Sequence, residues 1–138
     1  MRVYTRNMSY CYCILLRKAS RRVTSLYDEA LAPIGVNLAQ FSLLRNIQRA
    51  EPISLTDLGH RTELDRSTVS RNVKVLEKME LVAMTNGQDQ RESAVELSDK
   101  GRQVLKDGAP LWDGVQTAIE AKLGDEASAQ LTALLQAL

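Results

Sequence analysis

The amino-acid sequence predicts a mainly α-helical domain with a small β-hairpin wing. This is a winged helix-turn-helix carried between N- and C-terminal dimerisation helices. Three observations predict it. Leu64 to Glu80 form an amphipathic helix whose polar face joins short hydroxyls to long cations. A short helical segment and a tight connection precede it, and two short apolar runs around a polar loop follow it. Both ends of the chain carry leucine-rich helical stripes that so small a lobe has little means of burying.

A chain of 138 residues is expected to form one domain over 1–138, and 44% apolar residues suffice for a core. Aromatics are only 4%, so aliphatic helix packing should dominate. The few glycines and prolines are scattered, and no linker or low-complexity tract stands out. No apolar run approaches the roughly 20 residues of a membrane span. Met1 to Tyr10 lack the apolar stretch of a signal peptide. The expectation is a cytoplasmic protein with no membrane partner. One histidine, no glycine-rich phosphate loop and no catalytic triad argue against an enzyme, a metal site or a cofactor.

The net charge of +1 hides an asymmetry. Residues 1–102 hold 16 Lys/Arg against 12 Asp/Glu, whereas residues 103–138 hold 2 against 5. A modest positive field over the first part fits a nucleic-acid partner but does not establish one.

Residues 10–32 read as a long helix, with Leu16, Ala19, Val23, Leu26 and Ala30 at steps of three and four. Ala32-Pro33-Ile34-Gly35 ends it, because proline cannot continue a helix and glycine tolerates a left-handed turn. Asn37 is placed to cap a second helix over 38–50, with Phe41, Leu44 and Ile47 inward. Glu51-Pro52 breaks that helix. Ser54 caps a short third helix with core residues Leu55 and Leu58, where Gly59 signals close approach by a neighbouring helix. His60 packs or caps this helix. Thr62-Glu63-Leu64 then connects to the central helix.

In that helix Asp65 is a good N-cap, since its carboxylate can accept from the free amides of the first turn. Val69, Val73 and Leu76 make the buried stripe. Arg66, Ser67, Ser70, Arg71 and Lys74 face the other way. Hydroxyls and cations near a helix N-terminus reach phosphates and base edges, so this face suits a DNA groove. Leu81 to Met84 read as a strand, Thr85 to Glu92 as a projecting loop with an Asn86-Gly87 turn signal, and Ser93 to Leu97 as a returning strand. Ser98 caps a long helix to about Leu123, in which Pro110 predicts a bend. Trp112, Val115, Ile119 and Leu123 keep its stripe. A last helix to Leu138 presents Leu131, Leu134, Leu135 and Leu138. Residues 36–98 are thus the DNA-binding lobe, and 10–35 and 99–138 the dimerisation helices. A second copy of the chain is the economical cover for the leucine stripes.

Three segments carry a resemblance that spans nearly the whole chain. They are Ser67-Thr68-Val69-Ser70-Arg71 with Leu76 behind it, Asp89-Gln90-Arg91, and Leu97-Ser98-Asp99-Lys100-Gly101. Together they resemble the MarR family of bacterial transcription regulators. The resemblance implies that Arg91 enters a minor groove while Asp89 helps to hold the wing. A narrow minor groove has an enhanced negative potential that attracts a guanidinium. It also implies a small phenolic or apolar anionic effector between the dimerisation helices and the DNA-binding lobe.

Cys11 and Cys13 stand one residue apart, an awkward spacing for an intrachain disulfide. One reading makes them small packing residues of the dimer seam. The other makes them redox-active. The segment from Cys13 to Thr24 resembles that of the organic-hydroperoxide repressors of the same family, and Tyr27 falls where those carry a tyrosine that hydrogen-bonds the thiol. This chain departs from that subset at Arg17 and Leu38, where those repressors have tyrosines. The leading expectation is a homodimeric DNA-binding regulator, a repressor released by a ligand or an oxidant. The rival is a winged-helix module that docks on protein.

Overall fold

A computed structural model of the chain describes residues 11–86 and 93–138. The elements follow in order: helix α1 (Tyr12–Leu31), helix α2 (Leu38–Ala50), strand β1 (Ile53–Ser54), helix α3 (Leu55–Thr62), helix α4 (Arg66–Lys78), strands β2 (Val82–Asn86) and β3 (Ser93–Leu97), and helices α5 (Asp99–Leu123) and α6 (Asp125–Gln136). A single 3-10 turn, Ala32–Ile34, closes α1, and Gly35 follows in the left-handed region at φ 80°.

Local chemistry explains most of these boundaries. Asn37 and Gln40 form a reciprocal capping box at the start of α2. The Ser54 hydroxyl accepts from the Asp57 amide and starts α3. Between α3 and α4 the chain turns at Glu63, which adopts the left-handed conformation at φ 56°. The Leu64 amide reaches back to the Gly59 carbonyl at 3.0 Å. A Cβ on Gly59 would lie 2.9 Å from the Leu64 carbonyl oxygen. The close approach signalled by Gly59 is therefore chiefly that of the turn, with Val69 of α4 farther off.

The sheet is antiparallel in the order β1-β3-β2. Val82 pairs with Leu97 and Asn86 with Ser93. The strand read as Leu81 to Met84 therefore starts one residue later and runs on through Thr85 and Asn86. Pairing with β3 holds these two extended, although their composition suggests a loop. Strand β1 is an addition to the expected hairpin. It is two residues long, pairing Ile53 with Val95 and Ser54 with Ala94, too short to leave a periodic signal.

The core lies within the lobe. Phe41, Leu44 and Ile47 of α2 meet Leu58 of α3, Val69, Val73 and Leu76 of α4, and Val95 of β3. Helix α1 joins it through Leu31, and Tyr27 is also buried. Leu16 and Leu26 on the expected seam of α1 remain exposed, as do Leu131, Leu134 and Leu135 of α6. On that seam Ala19, Val23 and Ala30 are half-buried, and the fully buried residues of α1 are Tyr27 and Leu31 near its end.

Helix α5 runs unbroken through Pro110. Its first turn docks on the corner between α4 and β2. The Ser98 hydroxyl donates to the Glu80 carbonyl at 2.6 Å, the Ser98 amide to Leu81 O at 3.0 Å, and Lys100 Nζ to Met79 O at 3.0 Å. Gly101 makes this docking feasible, because a Cβ there would sit 2.1 Å from Leu81 O. Two turns on, a Cβ on Gly108 would sit 2.4 Å from the Phe41 ring. Glycine costs helix propensity at both positions, and backbone or ring contact takes the space. Gly101→Ala should force this corner open and cost about 1–3 kcal/mol, the usual range for overpacking. Urea unfolding measures it, and an unchanged midpoint would contradict the contact.

Candidate nucleic-acid interface

The site is built on the first two turns of α4. Asp65 adopts an extended conformation and caps the helix, its Oδ1 accepting from the Thr68 amide at 2.9 Å. The same carboxylate accepts the Ser67 hydroxyl at 2.7 Å and the Thr68 hydroxyl at 2.8 Å. Arg71 donates to Thr68 Oγ1 at 3.3 Å, which draws the guanidinium back along the helix. Arg66, Ser67, Arg71 and Lys74 are exposed, while Thr68 and Ser70 are half-buried. Ser67, Arg71 and Lys74 share one stripe at helical spacing.

The hydrogen bond from Ser67, and then those from Thr68, hold the Asp65 carboxyl far below the usual carboxylate range, with the Arg71 charge assisting. The chemical consequence is directional. Ser67 gives its proton to Asp65, so its outward lone pairs can accept, as from a base amino group, whereas the Thr68 oxygen already accepts from Arg71. Arg66, Arg71 and Lys74 can only donate, as to phosphate or to guanine. One helix face therefore offers both polarities.

Sequence reasoning does not single out Asn72 and Val75. Both are exposed on α4 and line a shallow cavity of about 140 Å³ with Asn37, Ala39, Gln40 and Leu43. The available signal for Asn72 was its place next to Arg71. Asp89 and Arg91 lie outside the described residues. The strands that lead to them, β2 and β3, are in register with each other, and β2 lies against α4.

Cys11 stands at the N-cap of α1 and Cys13 in its first turn, both exposed. Tyr27 is fourteen residues from Cys13 on the same helix, about 21 Å at 1.5 Å per residue. Its hydroxyl hydrogen-bonds Gln116 of α5 instead. Burial, followed by the Glu120 charge, raises the Tyr27 pKa, so the phenol stays protonated and able to donate. His60 is exposed, and its carbonyl accepts from the Glu63 amide. Among the described residues no group of three His, Cys, Asp or Glu is placed to hold a metal. Among them also no helix is long and apolar enough to cross a membrane.

A short helix, a tight turn and a capped polar helix beside a three-stranded sheet define a winged helix-turn-helix. Comparison with known proteins agrees. A profile of the MarR family matches residues 34–92. The transcriptional regulator MosR of M. tuberculosis, solved in complex with DNA, is 35% identical with a TM-score of 0.80, over 92% of this chain and 95% of that one. BpsR of Bordetella bronchiseptica shares the fold at 22% identity and a TM-score of 0.84, over 94% of each chain. The regulator SarZ of Staphylococcus epidermidis is 28% identical over 93 residues, which are 67% of this chain and 63% of SarZ. The chain belongs to the MarR family.

The Asp65 cap gives a pH-dependent prediction. Its folded pKa is below the unfolded value, so its contribution is complete above the ordinary carboxylate range. That contribution is lost as pH falls through the folded value. Asp65→Ala should therefore melt below the wild type at pH 7, and the gap should narrow as pH is taken well below 4. A gap that widens in acid would contradict the capping role.

Proposed function

We infer that this chain is a homodimeric DNA-binding transcriptional regulator, a repressor of a pseudo-palindromic operator that releases DNA on a small ligand or an oxidant. One observation carries the reading. The Asp65-ordered turn of α4 holds Arg66, Ser67, Arg71 and Lys74 together on an exposed face. The likeness to MosR, solved with DNA, supports it. In this reading α4 enters a major groove. Ser67, Thr68, Ser70 and Arg71 lie near base edges and phosphates, and Lys74, farther along, takes a phosphate. Arg91 enters the adjacent minor groove and Asp89 holds the wing.

An open apolar cavity of about 570 Å³ between α1, α5 and α6 supports the dimer. Leu16, Leu123, Leu131 and Leu135 line it, each more than 40% exposed. A second copy that brings its own helical ends would cover this face and fix the separation of the two α4 helices. The effector reading draws on Arg45 of α2, whose guanidinium lies 4.5 Å from the Trp112 ring of α5. A small aromatic anion could meet both the cation and the ring there. By loading the junction of lobe and dimer helices it would shift lobe separation. The oxidant reading rests on Cys13 with Cys11. Given the distance along α1, thiol–phenol pairing with Tyr27 would have to cross the dimer.

Fluorescence anisotropy with random-sequence duplex at low salt tests the core of this reading. Binding should weaken steeply as salt is added. Lys74→Ala should weaken it evenly across sequences and lower the salt slope by about one ion. A loss confined to one base position would make Lys74 a base reader instead. No binding at any salt would favour the protein-docking module. For the oxidant arm, hydroperoxide should release DNA from the wild type and not from Cys13→Ser. Equal release from both would remove Cys13 from the mechanism.

A further inference from the structure

Strand β3 returns from the wing and passes directly into α5, so its last residues join the DNA-binding lobe to the long outer helix. That joint is fixed from two sides. On the α4 side stand Ser98 and Lys100 on the Met79–Leu81 carbonyls. On the α2 side stands Glu51.

Glu51 follows the last turn of α2 and precedes Pro52. In the register that pairs Ile53 with Val95, it is the residue opposite Leu97. The backbone ladder has ended there, and the Glu51 side chain takes its place. Oε2 accepts from the Leu97 amide at 2.9 Å, while Oε1 pairs with Arg102 in the first turns of α5. The Glu51 side chain is only 18% exposed, against 46% for Arg102. One carboxylate thus holds the end of the wing strand and the start of the outer helix at once, over sequence separations of 46 and 51 residues.

We propose that Glu51 is a positioning residue for DNA binding. Through Leu97 and Arg102 it fixes the end of β3 against the start of α5, and so the base of the β2–β3 hairpin from which the wing extends. The proposal rests on the DNA-binding reading given above. Both carboxylate oxygens of Glu51 are taken up by Leu97 and Arg102. Its substitution should act only while the wing contact exists, which separates positioning from general stabilisation. The two carboxylate oxygens also have separable tasks. Glu51→Gln keeps an acceptor for Leu97 and loses the ion pair. Arg102→Gln loses the ion pair at a half-exposed side chain and leaves Glu51 intact.

The test is a double-mutant cycle on a duplex selected by the wild-type protein from a random library, with melting temperatures recorded for every variant. Arg91→Ala should weaken binding by roughly 5- to 100-fold, the range of a single recognition contact. Glu51→Ala should weaken it by roughly tenfold in the wild-type background and by less than about twofold on top of Arg91→Ala. Glu51→Gln and Arg102→Gln should fall between wild type and Glu51→Ala, and both keep the test available if Glu51→Ala does not fold. Amide exchange should quicken at Leu97 in Glu51→Ala while the amides of α4 keep their protection. Equal losses in both backgrounds, or wild-type affinity in Glu51→Gln and Arg102→Gln together, would overturn the proposal and leave DNA binding standing. Failure of the wild type to bind any duplex would overturn the DNA-binding reading, and the proposal with it.

Discussion

The contact between the first turn of α5 and the Leu81 carbonyl, which only a residue without Cβ at position 101 allows, sets how the two halves of the molecule meet. Ser98 and Lys100 are drawn to the same corner and satisfy carbonyls that the end of α4 leaves free. The recognition-type helix and the long outer helix therefore share one junction of backbone contacts. Close-packed junctions of this kind move as units, because they deform little. A displacement of α5 would then be passed to the C-terminal end of α4 and to the start of β2, and the Glu51 carboxylate would extend the same coupling to β3. In a regulator this is how an event at the outer helices would reach the surface that meets DNA.

The N-terminal end of α4 is organised by a different force. Asp65 gathers the Ser67 and Thr68 hydroxyls and the Thr68 amide, and Arg71 closes the network from the next turn. Free in solution, these side chains would lose rotamer freedom on meeting a ligand. Here part of that ordering is already present. The carboxylate also fixes which polar atoms face outward as acceptors and which as donors, so the face carries a pattern as well as a charge.

Much of this was legible in the sequence because it is local. The caps at Asn37, Ser54, Asp65 and Ser98 each depend on residues within three positions. The stripes Phe41-Leu44-Ile47 and Val69-Val73-Leu76 follow from helical period alone. Less legible were features set by distant partners. Strand β1 exists because Val95 and Ala94 lie alongside it. Thr85 and Asn86 are extended because β3 pairs with them. The leucine seam of α1 was visible, but its direction was not. Periodicity marks an apolar face without saying whether the chain itself or another molecule covers it. Of the candidate site, the residues of α4 were readable from spacing and side-chain type. The links among Asp65, Thr68 and Arg71, and the Glu51–Arg102 pair, needed coordinates.

In the proposed complex two copies of α4, each with a wing beside it, meet one face of a DNA duplex. Hydroxyl-radical footprinting of the wild-type protein on a duplex that it selects is the most direct measurement. Such a complex should give two protected half-sites related by a two-fold axis, with centres about one helical turn, roughly 34–36 Å, apart, and wing protection in the flanking minor grooves. A single unpaired footprint, or protection spread evenly along the duplex with no half-site spacing, would contradict it.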